Sequence, residues 1–458
     1  MTPELISRLD RPGPRYTSYP TADRFAEAFG ADQYREALRA RRHGAARHGG
    51  APLSVYVHIP FCESVCYYCA CNKVVTRRHE RATAYLDAIE SEIALHEAEL
   101  SERVPVSQLH LGGGTPTFLT DDELTRLMQT LRQAFAFTPQ AELAIEVDPR
   151  TADAARLVHL AALGFNRLSF GVQDVDTDVQ RAVHRVQSVE SVGALLQAAR
   201  DLNFKSTNVD LIYGLPLQTK ASFARTVAQV CAWQPDRIAL YAYAHLPDRF
   251  KPQRRIDGAT LPPAAQKIAM LSQAIDGFLE AGYDYIGMDH FARPDDALAI
   301  AKRQGRLHRN FQGYSTQPDC DLIGLGVSAI SRIGATYSQN AKTLPEYHDA
   351  LQHRRFPTAR GLALNRDDLV RRSVIMALMC QGRVAFESIE LAHLVDFKRT
   401  FAAELEALAP LQANGLVVIE PDAIAVTPLG WYFVRSVAMV FDRQLQGDQA
   451  RAHYSKLI

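Results

Sequence analysis

The stretch SVYVHIPFCESVCYYCACN, residues 54–72, joins a β-branched apolar run to a loop that holds four of the chain's seven cysteines. Three of them, Cys62, Cys66 and Cys69, have the spacing C-x3-C-x2-C, and Cys71 follows two residues later. A short apolar run that ends in a loop is typical of a buried strand. The stretch therefore predicts a strand whose carboxyl end carries clustered thiols.

Outward from this stretch, short apolar runs alternate with longer amphipathic runs. Strands are predicted at 54–59, 107–113, 141–147, 166–172, 206–214 and 237–243, and a seventh is an open alternative at 283–288. Helices are predicted at 82–100, 121–137, 151–165, 190–202 and 220–233. This alternation indicates α/β architecture with βαβ units and a parallel sheet. Polar or glycine residues follow nearly every strand, which favours a partial (β/α)6 TIM-like barrel with one shared site along its rim.

Three domains are expected along the chain. Residues 1–50 are predicted to form an N-terminal arm and a helix, near 31–42, that cover the site. Residues 51–345 are predicted to form the partial barrel with an extension. Residues 346–458 are predicted to form a mainly helical, winged-helix-like domain, because helical patterns there precede apolar strand-like runs at 416–420 and 423–427.

Composition and charge exclude several classes of protein. Of 458 residues 47% are hydrophobic, which is enough for a sizeable core. Lys+Arg and Asp+Glu each total 51, so a general nucleic-acid binder, which needs excess positive charge, is not expected. The sequence has no apolar run of about 18 residues, so no membrane span is expected. The N-terminus also lacks a signal-peptide pattern, so we expect a cytoplasmic location. A monomer is the default expectation, and the oligomeric state stays open.

The cysteine spacing points to an iron–sulfur cluster more than to zinc. Thiols stay reduced in the cytosol, where clustered cysteines more often serve metals than disulfides. Structural zinc usually takes two separated pairs of ligands, which four cysteines within ten residues fit poorly. A [4Fe–4S] cluster can be held by thiolates on one loop. If only the first three coordinate, one iron stays open to a substrate or cofactor.

Several motifs resemble known families. The C-x3-C-x2-C loop with Tyr68, and GGGT at 112–115, resemble the radical S-adenosylmethionine superfamily. Longer motifs resemble the oxygen-independent coproporphyrinogen III oxidase family within it: PRYTSYPTA (14–22), YVHIPFC (56–62), CNKVVTR (71–77), LHLGGGTPTFL (109–119), IEVDPR (145–150), GFNRLSFGVQD (164–174), NVDLIYGLP (208–216), GMDHFARPDD (287–296) and LHRNFQGYSTQ (307–317). Ala70 stands where that family usually has glycine.

The resemblance implies cofactors and the residues that hold them. It implies a [4Fe–4S] cluster on Cys62, Cys66 and Cys69, with Cys71 close by and supporting activity or cluster assembly. It also implies two S-adenosylmethionine molecules per chain. The first would contact Tyr56, Gly113, Glu146 and Ile330, and the second Tyr68, Gly114, Thr115, Gln173, Arg185, Asp210 and Ala244.

The resemblance also implies a reaction. It is the oxygen-independent oxidative decarboxylation of two propionate side chains of coproporphyrinogen III to vinyl groups, through a 5′-deoxyadenosyl radical. The product is protoporphyrinogen IX, in haem biosynthesis. The implied partners are the porphyrinogen substrate and an electron donor such as a flavodoxin or ferredoxin system. Because the substrate has four carboxylates, Arg15, Arg293, His308 and Arg309 are candidate contacts, and we expect Arg293 or Arg309 to face the site.

One alternative function stays open. A haem-binding or haem-trafficking protein of the same radical family, without oxidase activity, would share the C-x3-C-x2-C loop. By resemblance, such proteins lack both the fourth cysteine and the PRYTSYP arm. This chain has both, at Cys71 and at residues 14–20, which favours the oxidase.

Overall fold

The computed structural model describes residue 9 and residues 13–48, 50–288, 290–317 and 320–446. Residues 1–8 and 10–12 of the predicted arm lie outside these ranges. The chain packs into two compact units. The sheet unit comprises residues 25–263 and 320–363, and the helical unit comprises residues 1–24, 264–319 and 364–458. This grouping joins segments that are distant in sequence, and the expected division at 1–50, 51–345 and 346–458 remains a prediction.

Strands are numbered along the chain. They are β1 Leu53–Ile59, β2 Phe61–Cys62, β3 Val74–Val75, β4 Pro105–Gly113, β5 Ala136–Val147, β6 Arg167–Gln173, β7 Ser206–Tyr213, β8 Arg237–Ala242, β9 Asp284–Gly287, β10 His290–Ala292, β11 His308–Asn310, β12 Gly313–Ser315, β13 Leu322–Leu325, β14 Ile330–Ile333, β15 Thr336–Asn340, β16 Thr358–Ala363, β17 Arg383–Ala385, β18 Val417–Ile419 and β19 Ala423–Val426.

The helices alternate with these strands. In the sheet unit they are Ala31–His48, Glu80–Leu100, Asp121–Ala134, Ala154–Ala162, Thr177–Ala182, Val189–Asp201, Lys220–Trp233 and Leu344–Gln352. In the helical unit they are Ala264–Glu280, Ala297–Arg303, Arg366–Gln381, Phe386–His393, Phe397–Thr400, Ala402–Ala407, Ala409–Ala413, Pro428–Trp431, Val434–Ala438 and Arg443–Gln446. Single 3₁₀ turns lie at Ala22–Arg24, Pro116–Phe118, Lys251–Arg255, Gly258–Thr260 and Met439–Phe441.

The sheet unit is built on parallel strands in the order β13-β1-β4-β5-β6-β7-β8. Beyond β13, the strands β14, β15 and β16 add on in antiparallel pairing. The predicted α/β class with six successive βα units, β1 and β4 to β8, is confirmed. The carboxyl ends of these strands meet at one edge, so residues that follow them in sequence are brought together.

Local signals explain most helix and strand bounds. Thr120 caps the helix Asp121–Ala134: its hydroxyl accepts from the Glu123 backbone N–H at 3.2 Å, while the Glu123 carboxylate accepts from the Thr120 N–H. The helix predicted over 121–137 ends early, at Ala134. Its last residues instead enter β5, where Phe137 pairs with Val106 of β4, because pairing with a buried neighbour outweighs local helix propensity.

The helical unit bears on two expectations. The apolar run at 283–288 forms a strand, β9, as the open alternative has it, and β9 pairs antiparallel with β10 in a hairpin. The predicted strand pair near the C-terminus is present as β18 and β19. A third short strand, β17, joins it on the far side of β19, and the helices of residues 366–446 pack around this sheet on a shared apolar core.

In the ranges that the structure describes, no helix is both long enough and apolar enough to cross a bilayer.

Candidate functional site

The cysteine loop is closed at its base by a short strand pair. After β1, the strand β2 places Cys62 beside Val75 of β3. The Val74 N–H donates to the Pro60 carbonyl at 2.7 Å, and the Thr76 N–H donates to the Cys62 carbonyl at 2.9 Å. Both ends of the loop are therefore held at the carboxyl end of β1, which is where the sequence places the thiols.

Two arginines point at the sulfur of Cys66. Cys66 is 7% exposed, and its Sγ accepts from Arg185 Nη1 at 3.4 Å and from Arg150 Nη2 at 3.5 Å. Hydrogen bonds from charged donors favour the thiolate, which is the form that binds metals. The buried sulfur of Cys66 is thus set in an environment suited to a coordinating thiolate.

Asp148 joins these two arginines. Its carboxylate lies 2.7 Å from Arg150 Nη2 and 3.2 Å from Arg185 Nη2. Burial would raise the pKa of Asp148, but Arg185 and then Arg150 outweigh that cost and hold its pKa below the usual range. Asp148 therefore stays ionised and fixes both guanidinium groups beside Cys66.

The donors of Arg185 are already engaged within the chain. Its Nε and Nη2 donate to the Gly171 carbonyl at 3.1 and 2.5 Å, while Nη1 serves Cys66 and Asp148. A guanidinium offers five N–H donors and these bonds use four, so a ligand carboxylate that binds Arg185 through both oxygens would have to share or displace one of these acceptors.

The other thiols differ in acidity for identifiable reasons. Burial raises the pKa of Cys62 to about 11, although the Thr115 hydroxyl donates to its Sγ at 3.4 Å. The pKa of Cys69 is lowered to about 6, first because the Cys71 thiol donates a hydrogen bond to it and also because Lys73 is close. The same bond raises the pKa of Cys71, which is exposed. Cys71 thus acts as a proton-bearing partner of Cys69.

The glycines at the carboxyl end of β4 allow three groups to approach. A Cβ on Gly113, whose φ is +121°, would lie 2.6 Å from the His58 ring. A Cβ on Gly114 would lie 2.6 Å from the Pro60 carbonyl oxygen, and one on Gly112 would lie 2.7 Å from Glu146 Oε1. These glycines let the cysteine loop and a carboxylate pack against this strand end. The expected contact of Gly113 and Gly114 with S-adenosylmethionine remains a prediction.

A row of polar side chains crosses the carboxyl ends of β1, β4 and β5. His58 Nε2 donates to the Asn72 carbonyl at 2.9 Å, since a carbonyl only accepts, so Nδ1 accepts from the Tyr56 hydroxyl at 3.0 Å. Tyr56 stacks on His110 at 5.9 Å between centroids. His110 Nε2 lies 3.3 Å from Glu146 Oε1, and Glu146 Oε2 accepts from the Gly113 N–H at 3.1 Å.

The row continues on β7. Asp210 accepts from Ser169 Oγ at 3.1 Å and from Asn208 Nδ2 at 2.9 Å. Burial and then the charge of Glu146 raise the pKa of Asp210 to about 6. Glu146 and Asp210 are therefore close enough to repel each other.

The remaining predicted residues lie on elements of the same unit. Gln173 ends β6 with a φ of +71°, a strained conformation for a residue with a side chain, and the β6–β7 register shifts there. The carbonyls of Tyr68 and Ala244 both accept from Gln253 Nε2, at 3.0 and 3.2 Å. Ile330 begins β14, and a Cβ on Gly324 would lie 2.4 Å from the Ile330 carbonyl oxygen.

Within the described ranges, no three His, Cys, Asp or Glu side chains are drawn together tightly enough to hold a metal ion. The thiols nevertheless lie close enough for Cys66 and Cys69 to raise the pKa of Cys62. Thiolates are the ligands of iron–sulfur clusters, and the N–H and O–H groups that reach Cys62 and Cys66 are the hydrogen-bond donors that such sulfurs need. The donor set therefore fits a cluster on Cys62, Cys66 and Cys69.

The sequence alone did not single out several residues of this site. Asp148 and Arg150 lie in the quoted motif IEVDPR and His58 lies in YVHIPFC, but no role was assigned to them. The signal was present, because each lies at the carboxyl end of a predicted strand. Gln253 carried no signal, since it follows the last predicted strand of the series by ten residues.

The candidate substrate cations lie in the helical unit. Arg309 is 6% exposed, with its guanidinium carbon 4.6 Å from the Tyr314 ring centroid and its Nε donating to the Arg15 carbonyl at 3.3 Å. Arg293 is more exposed and lies 3.4 Å from Asp295. His308 begins β11. The expectation that Arg293 or Arg309 faces the site remains a prediction.

Comparisons with known proteins cover nearly the whole chain. The sequence pattern of the Radical SAM superfamily matches residues 56–230, and that of the HemN C-terminal domain matches residues 364–433. Oxygen-independent coproporphyrinogen III oxidase from Salmonella typhimurium is 50% identical over 99% of this chain and 98% of the relative. The protein of the same name from Escherichia coli is 49% identical over the same shares.

A solved structure agrees with these relatives. It is reported under the words "Coproporphyrinogen III oxidase (HemN) from Escherichia coli is a Radical SAM enzyme". It superposes on this chain with a TM-score of 0.90 at 49% identity, covering 94% of this chain and 98% of that one. The likeness therefore extends to both units of the chain.

Proposed function

This chain belongs to the family of oxygen-independent coproporphyrinogen III oxidases, which are radical SAM enzymes, and from that premise we propose how its residues serve the reaction. The chain is an oxidoreductase that converts coproporphyrinogen III without oxygen. A [4Fe–4S] cluster and S-adenosylmethionine, when bound, supply the hydrogen-abstracting 5′-deoxyadenosyl radical that turns two substrate propionates into vinyl groups with loss of CO2. The observation that carries the assignment is three clustered thiols at the rim of a parallel sheet, where hydrogen-bond donors reach their sulfurs.

Cys62, Cys66 and Cys69 are the proposed ligands of the cluster. Asp148 supports this role indirectly, because it orients Arg150 and Arg185 so that both donate to Cys66. Thr115 supports it directly through its bond to Cys62. Such donors lower the charge density on a ligating sulfur and so tune what the cluster can do.

The first S-adenosylmethionine is assigned to Tyr56, Gly113, Glu146 and Ile330. Glu146 has spare acceptor positions, since its side chain is 42% exposed, accepts from the Gly113 N–H and otherwise lies beside His110. It can therefore accept from an ammonium or a ribose hydroxyl. The stacked pair of Tyr56 and His110 offers an apolar face beside it.

The second S-adenosylmethionine, making two per chain, is assigned to Tyr68, Gly114, Thr115, Gln173, Arg185, Asp210 and Ala244. Asp210 suits hydroxyl recognition, because it already accepts two hydrogen bonds and keeps acceptor capacity. Arg185 is less available to bind the second S-adenosylmethionine, since its N–H groups already donate to Gly171, Asp148 and Cys66. For Arg185 we favour a role in positioning Cys66, with a shared contact to the cofactor.

The substrate, electron donor, oligomeric state and location are proposed as the sequence analysis expects them. The substrate class is the porphyrinogen, and the electron donor is a flavodoxin or ferredoxin system. The chain is proposed to act as a monomer in the cytoplasm.

The decisive experiment is anaerobic. The full chain, reconstituted with iron and sulfide, is incubated with S-adenosylmethionine, dithionite and coproporphyrinogen III, and the products are resolved by chromatography. Protoporphyrinogen IX and 5′-deoxyadenosine are expected. The Cys66→Ser variant is expected to bind less iron and to form neither product. Stable haem binding by the wild-type chain without any decarboxylation would instead support the haem-trafficking alternative.

A further inference from the structure

The cysteine loop reaches the surface, and positive charge lies at its C-terminal end. Ala70 and Cys71 are exposed. Lys73 Nζ donates to the Cys69 carbonyl at 3.0 Å. Asn72 Nδ2 donates to the Lys342 carbonyl at 3.0 Å, which places the exposed Lys342 directly beside the loop.

A second basic segment borders the loop near Tyr67 and Tyr68. Gln253 Nε2 donates to the Tyr68 carbonyl at 3.0 Å and so ties residues 246–255 to the loop. This segment carries Arg249 and Arg255, both exposed, and the Arg255 guanidinium carbon lies 5.2 Å from the Tyr67 ring centroid. The loop is therefore flanked by cations on two sides. We call Arg249, Arg255 and Lys342 the basic rim.

Two cations of the basic rim, Arg249 and Lys342, lie close enough to repel each other, and the described residues give the rim no carboxylate partner. The pKa of Lys342 is lowered by burial and then by repulsion from Arg360 and Arg249. Within the residues that the structure describes, no ion pair joins Arg249, Arg255 or Lys342 to an acid. The chain as a whole is neutral, with 51 residues of each charge, so this excess is local.

We propose that the basic rim docks a small acidic protein that delivers single electrons to the cluster. The inference rests on the proposed function, because a cluster on Cys62, Cys66 and Cys69 must be reduced before it acts. The carrier loses one electron and the oxidised cluster gains it, and no atom or proton needs to move with it. Complementary charge raises the rate at which protein partners meet and fixes their orientation. Ala70 and Cys71 are exposed and adjoin Cys69, so a docked carrier would come close to a cluster ligand.

The test uses the full reconstituted chain and a purified flavodoxin as the acidic carrier. Lys342→Glu, Arg249→Glu and the double variant are compared with Lys205→Glu. Lys205 is also an exposed lysine, and it precedes β7, at the opposite end of the strands. Flavodoxin binding is measured by titration calorimetry at about 50 and about 300 mM salt, because screening weakens exposed charge contacts. The production of 5′-deoxyadenosine is measured with flavodoxin and, separately, with dithionite.

We expect the double variant to bind flavodoxin about tenfold more weakly at low salt, with a smaller loss at high salt. Its rate should fall with flavodoxin and stay unchanged with dithionite, while Lys205→Glu matches the wild type in every assay. Equal affinity of wild type and double variant would overturn the proposal. So would a raised KM for the porphyrinogen in the dithionite assay, since the rim would then serve the substrate. If the wild type forms no 5′-deoxyadenosine with dithionite, the proposed function fails, while the calorimetry still decides the docking.

Discussion

Single hydrogen bonds set the chemistry of individual residues in this site. Cys66 is buried between two guanidinium groups, whereas Cys69 depends on its neighbour Cys71 and on Lys73. The four cysteines thus fall into two groups. Cys62 and Cys66 accept hydrogen bonds from residues distant in sequence, whereas Cys69 and Cys71 interact with each other. Cys71 belongs to the second group, which fits a supporting role in place of a fourth ligand.

Replacing Cys71 by alanine should make Cys69 less acidic. The pKa of Cys69, lowered to about 6 chiefly by the Cys71 thiol, should rise toward the ordinary value of about 8.5. At neutral pH the thiolate fraction then falls, and alkylation of Cys69 in the metal-free chain should slow by up to about tenfold. Mass spectrometry of timed iodoacetamide reactions measures this rate.

Cys231→Ala serves as the control for this experiment, because Cys231 lies on another helix, Lys220–Trp233. An unchanged Cys69 alkylation rate in Cys71→Ala would show that Lys73 and the backbone suffice. If iron content and turnover also stayed at wild-type levels, Cys71 would have no supporting role.

Asp210 should make the fold less stable as pH rises. In the native state burial raises its pKa to about 6, whereas an unfolded aspartate has a pKa of about 3.9. Between these values the native state binds more protons than the unfolded state, so the free energy of unfolding falls with rising pH. This contribution is present below about pH 4 and is lost above about pH 6, by on the order of 2–3 kcal/mol.

Asp210→Asn stays neutral throughout and provides the reference. Urea unfolding of both proteins at pH 4, 5, 6 and 7 gives the difference in free energy, so that other titrating groups cancel. The wild type should lose stability relative to the variant across this window. A difference that does not vary with pH would contradict the raised pKa.

At the scale of elements, one buried carboxylate connects a helix to the antiparallel extension. Glu92, on the helix Glu80–Leu100, accepts from the Gly326 N–H, from Asn340 Nδ2 and from the Tyr347 hydroxyl at 2.6–2.7 Å. On the same helix, Tyr85 donates to the His58 carbonyl at 2.7 Å, just before the cysteine loop. This helix therefore holds the chain just before the cysteine loop, through the bond from Tyr85 to His58.

Glu92→Ala should destabilise the sheet unit strongly. It leaves the buried Gly326 N–H and Tyr347 hydroxyl without an acceptor and removes one of the two acceptors of Asn340 Nδ2, which costs on the order of 3–5 kcal/mol in free energy of unfolding. Glu97→Ala, at an exposed position of the same helix, should change that free energy by less than about 0.5 kcal/mol. Chemical denaturation followed by circular dichroism compares them, and a loss below about 1 kcal/mol for Glu92→Ala would refute the role given to the network.

At the scale of the whole molecule, the chain assembles units from segments far apart in sequence. In the helical unit the arm residues Tyr16 and Tyr19 are 1% and 0% exposed. The Tyr16 hydroxyl donates to Asp442 Oδ2 at 2.9 Å, across 426 residues of sequence. Deleting residues 1–25 would thus remove core side chains as well as any cover, so a point substitution gives the cleaner test of the arm.

Tyr16→Phe should weaken the helical unit. The buried Asp442 loses a donor while the ring of residue 16 is kept, and the expected cost is about 1–3 kcal/mol in free energy of unfolding. Tyr432→Phe, at a half-buried tyrosine stacked on Tyr285, is the matched control and should cost less than about 0.5 kcal/mol. Urea titration with fluorescence detection compares them. Equal midpoints for both variants would contradict the structural role of Tyr16.

The sequence by itself determined the succession of strands and helices, the grouping of the thiols and the family. Those properties are local: hydrophobic period, capping residues and the spacing within one loop are all read over a few residues. The six βα units were predicted on that basis and are confirmed.

Only the tertiary structure decided which side chains share the site and how the units are composed. Arg185 reaches Cys66 across 119 residues, and Asp148 joins that contact from a third element. The run at 283–288 pairs antiparallel with β10, and residues at the end of the helix predicted over 121–137 belong to β5. The physical reason is that strand order, pairing and burial are properties of the packed chain, and no local pattern records which distant partner will satisfy a buried group.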